Sequence, residues 1–225
     1  MSRTSAAGTG AVRKPFLELA GATVLEQALR PFAAAKCVFE IVIVGAKGDL
    51  ARLAEIASGS GAAARFAGCV EGGAERTDSV RCGVRAVAAD AEVILVHDVA
   101  RPLVRVERID AAARVAHRDG AALLAVPVRD TIKAAPDGRR VEQTLDRSRL
   151  FAAQTPQAFE ARRFREILER AEQDGFAPTD DSALWERYVG PVTIVPDDPD
   201  NIKLTTPADL ALATAILRAR AEDPQ

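Results

Sequence analysis

Residues 93–102 read Val-Ile-Leu-Val-His-Asp-Val-Ala-Arg-Pro, and the fold class is inferred outward from this stretch. Four consecutive apolar residues, two of them Val, are typical of a short strand buried on both faces of a parallel sheet. The apolar run stops at His97 and Asp98, and Arg101 follows. In open α/β sheets ligands bind beyond the carboxyl ends of the strands, so this position favours a role in ligand binding or catalysis for these side chains. An isolated Asp-x-x-Arg is more often a helix cap and an ion pair with a structural role. Whether Asp98 and Arg101 are functional therefore depends on motifs elsewhere in the chain.

Length and composition suit one α/β domain covering residues 1–225. The net charge of −2 shows no overall excess of positive charge, which argues against nucleic acid as the main partner. No apolar run approaches membrane-spanning length, and no signal-like apolar segment follows Met1, so we expect no membrane partner. The three cysteines are odd in number and lack Cys-x-x-Cys spacing. This favours reduced thiols in the cytoplasm, without disulfides or zinc.

Apolar runs alternate with segments of helical spacing along the chain. Buried strands are predicted at 39–44, 93–96, 121–126 and 192–195. Helices are predicted at 23–32, 49–57, 106–117 and 161–173, with another from Asp78 or Ser79 to about Ala88. Thr155-Pro156 is interpreted as an ordinary turn. The alternation predicts an α/β fold with a Rossmann-like, doubly wound and mostly parallel sheet.

Residues 128–150 break this alternation and indicate a β-arm. Thr131-Ile132-Lys133, the turn Pro136-Asp137-Gly138 and residues 141–145 have the pattern of a β-hairpin that projects from the main body. An isolated hairpin is only marginally stable in water, so we expect this arm to pack on a second copy of the chain. The sequence therefore predicts a homodimer formed through the arm.

Six phrases, each weak alone, occur in one order along the chain. They are Gly-Gly-Ala-Glu-Arg-Thr-Asp-Ser-Val (72–80), His-Asp-Val-Ala-Arg-Pro (97–102), Pro-Val-Arg-Asp-Thr-Ile-Lys (127–133), Asp-Arg (146–147), Gln-Thr-Pro-Gln (154–157) and Asp-Asn-Ile-Lys (200–203). Together, from about Ala6 to the C-terminal helix, the chain resembles the 2-C-methyl-D-erythritol 4-phosphate cytidylyltransferase family of the non-mevalonate isoprenoid pathway. The resemblance implies a nucleotide-diphospho-sugar transferase-like fold, CTP and a sugar-alcohol phosphate as substrates, and Mg²⁺ as the cofactor.

The chemistry of that family fits the residue types present. A phosphate oxygen of the sugar alcohol, already anionic at neutral pH, attacks the α-phosphorus of CTP, and pyrophosphate leaves. Such a reaction needs positioning and positive charge rather than a nucleophilic triad. The sequence shows no such triad but does place Lys, Arg and Asp at predicted strand ends. His97 and His117 show no metal-ligand pattern and are expected to be structural.

The resemblance also implies roles for individual residues. The catalytic cations are Lys14 and Lys203, and Arg13 stands nearest to the family's loop arginine, at a different spacing. The nucleotide-binding residues are Ala6, Ala7, Gly8, Gly10, Gly73 and Ser79. The substrate-binding residues are Asp98, Arg101, Thr131, Arg147 and Thr179. Asp98 is also the expected Mg²⁺ ligand, and Thr131 is expected to reach the site of the partner subunit.

The resemblance is weakest at the N-terminus. Family members begin with an apolar strand that leads into Ala-Ala-Gly-x-Gly-x-Arg-Met, whereas only five residues precede Ala6 here. After Gly10 the chain reaches Arg13-Lys14 directly. We therefore expect a truncated first strand and a shortened glycine loop.

Two other functions remain open from sequence. Ribitol-5-phosphate cytidylyltransferase shares much of the same pattern and differs in substrate. A weakly active or non-catalytic paralogue that keeps the fold and the arm is the alternative outside enzyme catalysis.

Overall fold

The computed structural model describes residues 13–222, which form alternating strands and helices. The strands are β1 (Glu18–Leu19), β2 (Ala22–Thr23), β3 (Ile41–Gly45), β4 (Phe66–Glu71), β5 (Val93–Val96), β6 (Ala121–Pro127), β7 (Lys133–Ala134), β8 (Gln143–Thr144), β9 (Phe151–Glu160) and β10 (Thr193–Pro196). The helices are α1 (Val24–Ala34), α2 (Leu50–Gly59), α3 (Arg76–Ala86), α4 (Val106–Asp119), α5 (Ala161–Gln173), α6 (Ser182–Tyr188) and α7 (Pro207–Glu222). None of these helices is long and apolar enough to cross a membrane. The predicted α/β class is confirmed.

The largest sheet has the strand order β10–β6–β9–β5. Strands β10 and β6 pair in parallel, whereas β9 is antiparallel to both of its neighbours, β6 and β5. Three of the four strands therefore run in one direction, as a mostly parallel sheet requires. A separate parallel pair is formed by β3 and β4.

Strand β9 was not predicted, and the interpretation of Thr155-Pro156 as a turn was wrong. The two residues lie in the middle of β9, joined by a cis peptide bond. The pairing with β6 changes register between Leu123 and Ala125, opposite this point. Proline lacks a backbone N–H and is tolerated within sheets mainly where the ladder is irregular, which is the situation here.

Both faces of the large sheet are covered by helices. Ala158 of β9 belongs to an apolar cluster that includes Ile109 of α4, while the next residue, Phe159, belongs to a cluster with Phe164 and Trp185 from α5 and α6. Successive side chains of a strand point to opposite faces, so these clusters lie on opposite sides of the sheet. The doubly wound arrangement is thereby confirmed.

Helix α3 begins earlier than the sequence indicated. The sequence suggested Asp78 or Ser79 as the N-cap, but the helix starts at Arg76 and is capped by Glu75. The Asp78 carboxylate accepts a hydrogen bond from the Glu75 backbone N–H at 3.1 Å, which completes a capping box. This earlier start places Arg76 in the first turn of the helix.

The predicted hairpin is confirmed within residues 128–150. Strands β7 and β8 pair antiparallel, with Lys133 opposite Thr144. Gly138 adopts a φ of 68° in the connecting turn, a conformation that glycine reaches without strain.

Strand β9 also holds the segment that precedes α6, through Gln157. This side chain is 2% exposed; its amide oxygen accepts from Ser182 N–H and its amide nitrogen donates to Asp180 Oδ2, both at 2.9 Å. Replacing it by Leu (Gln157→Leu) keeps a similar volume but leaves the buried Ser182 N–H without its partner. It also removes one of the two hydrogen bonds that Asp180 Oδ2 accepts, the other coming from the Ser182 hydroxyl. We expect the free energy of unfolding in urea to fall by about 1–3 kcal/mol. Gln143→Leu, on exposed β8, should change it by less than about 0.5 kcal/mol; equal losses would contradict the assigned role.

Candidate active site

The site predicted from residues 93–102 lies at the carboxyl end of β5. Asp98 follows this strand by two residues and lines a cavity together with Gly73, Arg76 and Ser79. The structure thus brings together the phrases 72–80 and 97–102, as parallel strands that end at the same edge of a sheet would.

Asp98 and Lys203 form the central contact of the site. The Lys203 Nζ donates to Asp98 Oδ2 at 2.6 Å. Leu204 N–H donates to the Ala100 carbonyl at 2.7 Å, so the segment that carries Lys203 is tied to the turn that carries Asp98. Burial alone would raise the pKa of the Asp98 carboxyl, but its bond to Lys203 and the nearby positive charge of Arg76 outweigh burial and lower it. Asp98 is therefore ionised at neutral pH.

Arg76 is a second cation at this carboxylate. Its guanidinium binds Asp181 through two parallel hydrogen bonds of 2.9 and 2.7 Å. Asp181 is 1% exposed, so this bidentate pair fixes the arginine in place. The Nη2 atom also lies 3.7 Å from Asp98 Oδ1. Asp98 is consequently flanked by Lys203 on one oxygen and Arg76 on the other.

The backbone of Asp98 is held by a chain of hydrogen bonds through His97. The His97 Nε2 lies 3.0 Å from the Arg101 carbonyl, which can only accept, so Nε2 carries the proton. The Nδ1 atom then accepts from the Thr155 hydroxyl at 2.9 Å, and that hydroxyl oxygen accepts from Asp98 N–H at 3.1 Å. Burial lowers the pKa of His97 to about 4, which keeps the ring neutral. The expectation that His97 is structural agrees with these contacts.

Arg101 binds the protein itself. Its guanidinium donates to the carbonyls of Asn201 at 2.6 Å and Ala153 at 3.2 Å. Asn201 is 1% exposed and donates its amide to the Thr155 carbonyl and to Asp197. These contacts hold the loop before Lys203. The predicted contact of Arg101 with substrate remains a prediction.

The glycine turn after β4 is packed too closely for side chains. A Cβ on Gly73 would lie 2.2 Å from the Asp78 Cβ, and one on Gly72 would lie 2.7 Å from the Ser79 hydroxyl. Ser79 itself donates to the Glu75 carbonyl at 3.2 Å. The turn therefore packs its backbone against the first turn of α3, beside the cavity, and glycine is needed for that contact. The predicted contact of Gly73 and Ser79 with a nucleotide remains a prediction.

The remaining predicted residues lie apart from this cluster or outside the structure. Arg13 is paired with Asp49, and Lys14 is exposed in a short 3₁₀ turn. Neither lines the cavity. Ala6, Ala7, Gly8 and Gly10, with the expected truncated strand and shortened loop, lie outside the described residues.

On the hairpin, Thr131 and Arg147 are both exposed. Leu145 N–H donates to the Ile132 carbonyl at 3.0 Å across the hairpin, so the two predicted phosphate contacts lie near each other on it. The Arg147 guanidinium donates to the Arg129 carbonyl at 2.8 Å. Thr179 is exposed and lies two residues before Asp181.

The described residues suit one mode of Mg²⁺ binding. Residues 13–222 contain no group of three His, Cys, Asp or Glu side chains arranged to hold a metal ion. Asp98 supplies one ionised carboxylate at the cavity. Mg²⁺ commonly binds through one or two carboxylates together with substrate phosphates, and this donor set fits that mode.

Sequence reasoning missed Arg76, Asp181 and Thr155. Arg76 lies inside the quoted phrase 72–80, and Thr155 lies inside 154–157, so both were visible as parts of motifs. Their partners are far away in sequence: 105 residues separate Arg76 from Asp181, and 57 separate Thr155 from Asp98. No local pattern could have paired them.

Known proteins resemble this chain over most of its length. The model of the family described as 2-C-methyl-D-erythritol 4-phosphate cytidylyltransferase matches residues 4–219. A protein of that name from Geobacillus kaustophilus is 43% identical over 214 residues, which are 93% of this chain and 90% of the relative. A bifunctional enzyme IspD/IspF from an Anaeromyxobacter species is 46% identical over 222 residues, which are 96% of this chain; the chain spans only 56% of that relative.

Solved structures give the same result. The structure of 4-diphosphocytidyl-2C-methyl-D-erythritol synthase from Anaerococcus prevotii superposes with a TM-score of 0.84 at 30% identity, covering 94% of this chain and 92% of the other. The 2-C-methyl-D-erythritol 4-phosphate cytidylyltransferase from Thermus thermophilus gives a TM-score of 0.74 at 32% identity, with coverages of 91% and 93%.

The neutral state of His97 has a consequence for stability. Its pKa of about 4 lies below the 6.5 of an unperturbed histidine, so between these values the unfolded chain binds more protons. Lowering the pH from about 7.5 to about 5 should therefore cost about 2 kcal/mol through this group. The free energy of unfolding in urea, measured at the two pH values, should no longer show this loss in the His97→Gln variant. His117→Gln, at an exposed histidine, should retain it; a His97→Gln variant with the wild-type pH dependence would refute the assignment.

Proposed function

The chain belongs to the 2-C-methyl-D-erythritol 4-phosphate cytidylyltransferase family, and we propose that it transfers CMP from CTP to 2-C-methyl-D-erythritol 4-phosphate. The observation that carries the proposal is the contact between Lys203 and Asp98 at the end of β5, in the cavity that the Gly72-Gly73 turn borders. A phosphate oxygen of the sugar alcohol forms a bond to the α-phosphorus of CTP. The bond from that phosphorus to the bridging oxygen of the β-phosphate breaks, and pyrophosphate leaves.

Lys203 is proposed as a cation at the α-phosphate. Its ammonium is held by Asp98 at 2.6 Å, so its direction is set before substrate binds. A preorganised cation stabilises charge that develops on the phosphate oxygens without first having to reorient. Lys14, with Arg13 beside it, is proposed as the second source of positive charge from the N-terminal side.

Asp98 would hold Mg²⁺ together with phosphate oxygens of CTP. When bound, the ion neutralises phosphate charge and aligns the triphosphate. Arg76 and Lys203 keep the Asp98 carboxylate ionised, which a Mg²⁺ ligand requires. The close-packed turn at Gly73, with Ser79, is proposed to meet cytosine and ribose.

A homodimer formed through the arm is proposed to complete the substrate site. The arm and its root expose Val141 to 59% and Phe151 to 45%, which is apolar surface that a partner would cover. Thr131 and Arg147 of one subunit would then hold the sugar phosphate in the site of the other, with Asp98, Arg101 and Thr179. The free thiols of Cys37, Cys69 and Cys82 support action in the cytoplasm.

Pyrophosphate release tests the activity directly. With CTP, Mg²⁺ and 2-C-methyl-D-erythritol 4-phosphate, release should depend on the sugar phosphate, and ribitol 5-phosphate should support much less. Lys203→Ala should lower kcat/KM by about 10²–10³, the cost of removing one preorganised charge donor. Arg163→Ala, at an exposed arginine of α5 that does not line the cavity, should leave it unchanged. A folded wild-type chain that turns over neither sugar phosphate would contradict the catalytic proposal. Faster turnover of ribitol 5-phosphate would identify that compound as the substrate instead.

Mixing two inactive variants tests the shared site. Arg147→Ala should impair the site that an arm reaches, and Lys203→Ala the site in its own subunit. If the arms cross, a mixed dimer has one intact site and one doubly altered site. After unfolding and refolding an equal mixture, activity should recover to about a quarter of wild type, because half of the dimers are mixed. Activity that stays at the sum of the two variants would show that each site lies within one subunit.

A further inference from the structure

Four charged side chains of alternating sign lie in a row at the site. Asp181 accepts two parallel hydrogen bonds from Arg76, at 2.9 and 2.7 Å. Arg76 Nη2 lies 3.7 Å from Asp98 Oδ1, and Asp98 Oδ2 accepts from Lys203 Nζ at 2.6 Å. We call Asp181, Arg76, Asp98 and Lys203 the charge row. The row joins the starts of α6 and α3 to the segment after β5 and the segment before α7.

The row runs from the interior of the protein to its surface. The side chain of Asp181 is 1% exposed, whereas that of Lys203 is 47% exposed. Asp181 does not line the cavity that Arg76 and Asp98 border. A carboxylate buried to this extent is costly unless a cation stays beside it. The burial of Asp181 therefore ties the guanidinium of Arg76 to one place.

The local sequence leaves the Asp181 carboxylate available for this contact. Asp181 occupies the N-cap position of α6, where an aspartate normally accepts a hydrogen bond from the first turn of the helix. Its side chain makes no such bond. The Asp180 carboxylate caps the helix instead, since it accepts from the Ala183 N–H at 3.1 Å and from the Ser182 hydroxyl at 3.0 Å. Of two adjacent aspartates, one thus stabilises α6 and the other holds Arg76.

Two cations on different oxygens fix the orientation of the Asp98 carboxylate. Arg76 faces Oδ1 and Lys203 binds Oδ2, so a turn of the carboxylate away from this plane would weaken both contacts. The Asp98 backbone N–H is held separately by Thr155. An ammonium has three N–H donors, and the bond to Asp98 uses one of them. The direction of the other two therefore depends on how Asp98 is held, and so on Arg76.

We propose that Asp181 is a positioning residue, which sets the direction of the Lys203 ammonium through the rest of the charge row. This role rests on the proposed function, in which Lys203 meets the α-phosphate. A cation stabilises developing charge best when it is already in place. A displacement of about 1 Å can cost about a hundredfold in rate. Loss of Asp181 should therefore act on kcat more than on KM, because it displaces the cation without removing a contact with either substrate.

Asp181→Asn keeps the size of the side chain and removes its charge. We expect kcat for pyrophosphate release to fall about tenfold or more, with KM for CTP within about threefold of wild type. Asp180→Asn is the matched control, because it makes the same change in the adjacent residue. It should lower Tm through the weakened helix cap and leave kcat near that of wild type. An equal loss of kcat in both variants, or a higher KM for the sugar phosphate at unchanged kcat, would overturn the proposal.

A double-mutant cycle tests whether Asp181 acts through Lys203. In a Lys203→Ala background, Asp181→Asn should change kcat by less than about twofold, because the group that it positions is absent. Two losses that multiply would show that Asp181 acts elsewhere and would overturn the proposal. If Asp181→Asn does not fold, Arg76→Lys takes its place in the cycle, since lysine keeps the positive charge but cannot form the two parallel bonds to Asp181.

A measurement without substrate separates this role from the proposed activity. Reductive methylation with isotope-labelled formaldehyde gives each lysine amine an NMR signal and keeps its charge, and Lys203→Arg assigns the signal of Lys203. At one fixed pH, this signal should lie apart from that of the exposed Lys36 and should move toward it in Asp181→Asn but not in Asp180→Asn. A Lys203 signal that Asp181→Asn leaves unchanged would overturn the proposal. The expected movement in a chain without turnover would support the charge row and contradict the proposed function alone.

Discussion

An ionised carboxylate at the end of an apolar strand is costly unless charge and hydrogen bonds compensate it, and the site is built around this constraint at Asp98. Lys203 and Arg76 flank its two oxygens, and Thr155 holds its backbone N–H. Arg76 would itself be a partly buried charge without Asp181, which binds it bidentately. Each compensating group thus needs a further partner, and the contacts spread over segments that are far apart in the chain.

Strand β9 connects most of these segments, although its own sequence carries little charge. Thr155 bonds to Asp98 and His97, Gln154 bonds to the Asn201 carbonyl at 3.1 Å, and Gln157 holds the segment that leads to Asp181. Because β9 pairs with β5 on one side and β6 on the other, it fixes these polar groups relative to the sheet. Because these buried side chains bind specific partners on other segments, any shift of register would break several of their hydrogen bonds at once.

Local patterns in the sequence were sufficient for most of the fold. Thr23 begins α1 through a capping box with Glu26, as its position before an apolar helical pattern indicates. The apolar run at 93–96 forms β5, although only Ile94 is fully buried and its three neighbours in the strand are half-buried. Strand β9 was not predicted, because Gln154, Thr155 and Gln157 interrupt its apolar residues and because proline is uncommon within strands. Of the site, the phrases 72–80, 97–102 and 200–203 were identified and meet in space. The pairs that hold them were not, because contacts such as Arg76 with Asp181 depend on the completed fold.

The two edges of β5 carry different roles. The edge toward β9 is paired along Val93–Val96, and Thr155 of β9 accepts a hydrogen bond from the Asp98 N–H that follows β5. The other edge borders the cavity that Asp98 and the Gly72-Gly73 turn also line. The contacts that fix the Asp98 backbone therefore come from β9, on the side of β5 away from the cavity, so they can hold the carboxylate in place without occupying the space that a substrate would need.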